Sequence, residues 1–131
     1  MKKISVIFVV LLCLAGCSTT TALYQVRAQN KAKITRLTPG MTKDKVLNMM
    51  GTKEIIVCNS WGDTIGVVKN PFKTELLKTN NKTYEILYYY TDIIHSDADI
   101  SEDELTPIVF ENNKLIGFGW QVLSWAEEKE K

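Results

Sequence analysis

The chain has 131 residues, with 16 basic and 15 acidic side chains and a formal charge of +1 at pH 7. That length predicts one domain. The near-neutral balance, with no basic block anywhere, argues against a nucleic-acid partner.

The first residues read MKKISVIFVVLLCLAGCS. Lys2 and Lys3 supply a positive start, and Ile4 to Leu12 is apolar except for Ser5. This run suits a signal peptide and is too short to span a bilayer, which takes about 20 apolar residues. Leu14 to Cys17, LAGC, resembles the lipobox of bacterial lipoproteins. The resemblance implies cleavage before Cys17, lipid on that cysteine, and residues 1–16 removed as signal. The 115 residues left carry 14 basic and 15 acidic side chains. Ser18, in place of an aspartate, implies the outer membrane, with the domain facing the periplasm. A membrane partner is thus expected through the lipid alone, and residues 17–22 form the lipidated tether.

From Leu23 onward, Leu23, Val26, Ile34 and Leu37 recur at helical spacing, and Pro39 with Gly40 ends the pattern. A second helix follows. Thr42 suits an N-cap, Asp44 complements the positive helix end, and Val46, Leu47, Met49 and Met50 form an apolar stripe. Gly51 stands where a closing glycine turns left-handed.

The remainder reads as strand. Residues 54–61 are β-branched and aromatic, residues 62–82 read as a long connection, and residues 83–92 alternate cleanly. On that strand Tyr84, Ile86, Tyr88 and Tyr90 share one face, and Glu85, Leu87 and Tyr89 the other. An acidic loop follows. Residues 108–110 and 115–122 then form a hairpin about Asn112-Asn113, which tolerate positive φ. On its second strand Ile116, Phe118, Trp120 and Val122 alternate with Gly117 and Gly119, whose bare face marks a bulge or lets a helix approach. Residues 126–131 form a charged tail that frays. The expected fold is α+β and two-layered, with two N-terminal helices on a three- to four-stranded antiparallel sheet, over residues 23–125.

The stretch LTPGMTKDKVLNMMG resembles the helix-turn-helix signature of the BamE (SmpA/OmlA) lipoproteins, through Leu37, Gly40, Met41, Thr42, Val46, Met50 and Gly51. The chain looks like an uncharacterised branch of that superfamily. Thr52-Lys53 departs from its pattern, which has a small residue and a proline there. The resemblance implies a ααβββ fold and an accessory role in envelope assembly, with the β-barrel assembly machinery as candidate partner. The same fold serves secreted β-lactamase inhibitor proteins, so an inhibitor-like or ligand-binding role is the alternative.

No catalytic set, cofactor motif or metal spacing stands out. His95 lies among Asp92, Asp97 and Asp99, which reads as a solvated acidic loop. Asp97, Asp99 and Ser101 have calcium-loop spacing, but Glu102 and Ile108 occupy the places of its glycine and glutamate. Cys58 reads as a small buried strand residue, or alternatively as a reactive or bridging thiol. A non-enzymatic protein is expected. The aromatic strand and its surroundings, Phe72, Tyr88, Tyr89 and Tyr90, are the candidate partner surface.

Overall fold

The structure is a computed structural model that describes residues 19–58, 61–95 and 99–129. The proposed signal, Cys17 and Asp97 lie outside these residues. The fold is α+β: three helices and two antiparallel sheets.

Helix α1 (Thr19–Ile34) starts four residues before the expected Leu23, so much of the expected tether is helical. Its stripe packs as its spacing predicts: Val26, Ile34 and Leu37 are buried, and Tyr24 is exposed. Helix α2 (Lys43–Met50) is capped by Thr42, whose hydroxyl accepts from the Lys45 N–H at 3.4 Å. Val46 and Met50 are buried on the facing side. An eight-residue helix has no stability of its own, and this buried face supplies it. Gly51 closes the helix at φ 89° and ψ 156°, an extended positive-φ conformation open to glycine, and not the left-handed turn expected.

Residues 62–82 are strands, not a connection. β1 (Glu54–Cys58) and β2 (Thr64–Lys69) form a two-stranded ribbon with Ile55 opposite Val68 and Ile56 opposite Val67. β3 (Lys73–Lys78), β4 (Thr83–Tyr90), β5 (Leu105–Glu111) and β6 (Lys114–Phe118) form the main sheet in sequence order. Gly62, Gly66 and Pro71 broke the pattern that would have revealed β2 and β3. Asn112 (φ 49°) and Asn113 (φ 63°) make the tight turn between β5 and β6 that the Asn-Asn pair predicts.

The hairpin's last strand stops at Phe118. Gly119 (φ 94°, ψ 161°) turns the chain, and Trp120–Glu128 is a third helix, α3. The expected strand through Val122 and the expected fraying tail from residue 126 are both corrected: Ala126 is fully buried. Gly117 is where the helix comes close, since a Cβ there would lie 3.0 Å from a Val122 methyl.

The sheet thus has apolar clusters on both faces. Leu87 and Tyr89 pack with α2 and the end of α1, while Tyr84, Ile86, Tyr88 and Tyr90 pack under Leu123 and Ala126 of α3. These two sets are the faces that alternation predicts for β4.

Candidate functional site

The signature residues are structural. Leu37, Val46 and Met50 are core side chains, Met41 packs against that core, and Gly40 (φ 89°) and Gly51 are turns. The segment has a further role that no local pattern shows. The Gly40 N–H donates to the Leu115 carbonyl at 2.8 Å, and the Leu115 N–H to the Met41 carbonyl at 2.8 Å. The Lys43 N–H reaches the Asn113 carbonyl at 3.1 Å, and Thr42 bridges to Lys114. Residues 40–43 therefore cover the β6 edge, which would otherwise present unpaired backbone groups.

The expected aromatic partner surface is not where the strand pattern put it. Tyr88, Tyr89 and Tyr90 are buried and Phe72 is half-buried. Helix α3 covers the face that carries Tyr88 and Tyr90, and α2 with the end of α1 covers the face that carries Tyr89. The Tyr89 hydroxyl donates to the Gly51 carbonyl at 3.3 Å, and burial pushes its pKa up to about 12. The Tyr88 hydroxyl donates to Glu75 at 2.8 Å, and burial, then that bond, raise its pKa above the usual tyrosine range.

Exposed apolar surface lies instead on the ribbon. Val57 and Val68 face inward against Val26 of α1. Their neighbours Ile56 and Val67 oppose each other on the outer face, 60% and 48% exposed. Trp61, beyond β1, is 89% exposed. Strand alternation places Ile56 and Val57 on opposite faces, but only the position of α1 tells which face meets solvent.

Between α1 and the ribbon lies a cleft of about 260 Å³, with Gln25, Gln29, Lys33, Lys53 and Asn70 among its lining residues. Lys33 Nζ donates to the Met50 carbonyl at 3.2 Å, at the end of α2 where carbonyls lack helical partners. A second hollow, about 290 Å³, is lined by Ile116, Gln121, Val122 and Trp125 beside α3.

The acidic loop is built around one carboxylate. Glu104 is buried and accepts from the N–H groups of Ile94 (2.7 Å), His95 (3.0 Å) and Ser101 (3.2 Å). Burial alone would raise its pKa; the three N–H donors outweigh that and lower it. His95 itself is exposed and pairs with Asp103 at 3.1 Å, while Asp92 pairs with Lys31. Cys58 is half-buried at the end of β1.

The family model for DUF3192, described as a protein of unknown function, matches residues 9–124. No curated protein and no solved structure matches the chain. The chain belongs to the DUF3192 family.

Proposed function

We propose that this member of the DUF3192 family is an outer-membrane lipoprotein, anchored through Cys17 and facing the periplasm. It acts as a non-enzymatic protein-interaction module in envelope assembly or integrity. The observation that carries the reading is the lipobox sequence two residues before the first helical residue, Thr19. Two residues of chain reach at most about 7 Å, so an acylated Cys17 would hold the folded domain against the bilayer, where an assembly factor works. No helix among the described residues is long and apolar enough to cross a membrane. Resemblance of the Leu37–Gly51 signature to BamE supports an envelope protein as the partner, the β-barrel assembly machinery first among candidates, and a ααβββ ancestry for the two N-terminal helices and the strands. The hollow beside Trp125 offers an apolar contact for such a partner.

The test is photo-crosslinking in intact cells from residue 125, followed by identification of the adduct. Capture of one envelope protein at high yield supports the proposal; a protein found only in the soluble fraction, without lipid on Cys17, overturns it. The cleft under α1 favours a second reading, a ligand-binding lipoprotein of the same fold. Saturable binding of a small periplasmic solute, lost on a Lys33→Ala change, would select it.

A further inference from the structure

The cleft between α1 and the ribbon holds positive charge that its own lining does not balance. One wall is a single stripe of α1, with Gln25, Gln29 and Lys33 at steps of one turn. The other wall includes Ile55 of β1 and Lys53 just before that strand. Helix α1 has no acidic residue, and no carboxylate among the described residues lines the cleft. Strand alternation turns Glu54 away from the side of Ile55, where it pairs with Lys69 at 3.0 Å.

Lys33 is half-buried, and the Met50 carbonyl holds its ammonium at 3.2 Å. An ammonium has three N–H donors, and no other acceptor among the described residues takes the remaining two. Gly51 leaves it uncovered on one side, since a Cβ there would lie 3.9 Å from Nζ. Neither Lys33 nor Lys53 pairs with a carboxylate among the described residues. The C-terminal end of α2 offsets only about half a unit of charge, so roughly +1.5 remains there.

We infer that this cleft binds a small phosphate monoester with a hydroxyl-bearing body, its phosphate between Lys33 and Lys53. This rests on the second reading given above, a ligand-binding lipoprotein. A phosphate monoester carries about −1.5 to −2 at pH 7, which matches the charge of the cleft, whereas a carboxylate carries a single charge. Lysine is a compact point charge without the planar fork that favours a flat carboxylate. Gln29 lies about 6 Å along the helix from Lys33. Its amide, and that of Gln25 beyond it, can both donate to and accept from hydroxyls. Val26, Met50 and Ile55 give an apolar floor for the C–H face of a ring. The volume, about 260 Å³, falls just below that of drug-sized pockets and suits one sugar ring.

The test titrates the isotope-labelled full chain, in polyoxyethylene detergent at low salt, with glucose 6-phosphate, gluconate and glucose. Backbone amide shifts are followed by nuclear magnetic resonance. The expected result is saturable shifts at Gly51, Lys53 and Asn70 with glucose 6-phosphate. Gluconate should bind more weakly, and glucose at least about tenfold more weakly, since each tenfold is the scale of one charge-assisted contact. Lys53→Glu removes an exposed side chain and should weaken glucose 6-phosphate about tenfold at an unchanged melting temperature. Lys33→Met keeps the apolar stem and should weaken it similarly. Gluconate binding as tightly as glucose 6-phosphate overturns the choice of phosphate. Glucose binding equally well at the same amides overturns the whole inference and leaves the ligand-binding reading standing. No saturable shift with glucose 6-phosphate, or shifts unaffected by both lysine changes, also overturns the inference. Saturable binding of an uncharged periplasmic solute by Lys33→Met protein would then show that the ligand-binding reading survives it.

Discussion

Asn30 and Asn70 exchange side-chain amide hydrogen bonds at 3.0 and 2.9 Å, and the Asn30 amide also donates to the Tyr90 carbonyl at 2.9 Å. Asn30 is fully buried in the middle of α1. Asn70 sits between the ribbon and the main sheet, with its N–H on the Lys53 carbonyl at 3.0 Å. The pair ties the helix to β4 and to the link between the two sheets. Asn30→Ala strands the Asn70 amide and the Tyr90 carbonyl. It should cost about 3 kcal/mol, because each buried group left unpaired costs about 1–3 kcal/mol. A urea melt should show a lower midpoint at unchanged slope. A loss under about 1 kcal/mol would mean the pair is not holding these parts together.

Gly117 and Val122 form a second close relationship. A methyl at position 117 would lie 3.0 Å from a Val122 Cγ, so Gly117→Ala should cost about 1–2 kcal/mol by overpacking. In a Val122→Ala background the same change should cost much less. A double-mutant cycle with no coupling would contradict the packing of α3 on β6.

Glu104 makes stability depend on acid pH. Its folded pKa lies below the ordinary glutamate value of 4.5. A depressed carboxyl contributes stability that is fully present above the unfolded value and is lost as pH falls through the folded one. Melting temperature should therefore decline below about pH 4.5. Glu104→Gln, which cannot match the charged acceptor, should cost about 1–3 kcal/mol at pH 7. The gap to wild type should narrow toward pH 3. A constant gap across that range would locate the acid sensitivity elsewhere.

The Leu37–Gly51 signature should behave as scaffold. Val46 is fully buried, and Val46→Ala should cost about 2–3 kcal/mol. Thr42→Ala loses a long cap bond and should cost about 0.5–1 kcal/mol. At temperatures where each variant stays folded, crosslinking from residue 125 should be unchanged. Loss of the adduct in a folded Thr42→Ala protein would make the motif part of the interaction surface.

Local chemistry determined a good deal. The spacing of Leu23, Val26, Ile34 and Leu37 at multiples of three to four defined a helix face, and Thr42 with Gly51 bounded α2. Alternation from Tyr84 to Tyr90 sorted the side chains into the two sets that the clusters contain. The Asn112-Asn113 turn needed only the tolerance of asparagine for positive φ. All of these are interactions between residues a few positions apart.

What the tertiary structure alone decided is which of those faces meet water. Tyr88 and Tyr90 looked available because alternation distinguishes two faces without saying what lies on either. Their cover comes from Leu123 and Ala126, more than thirty residues away, in a helix that Gly117 and Gly119 let fold back onto the sheet. Conversely, Ile56 and Val67 have the same strand-forming character as Val57 and Val68, and only the packing of α1 on the inner pair leaves the outer pair exposed. Burial is a property of contacts between distant segments. A periodic pattern can place an apolar side chain on a face, but the covering surface must be supplied from elsewhere in the chain.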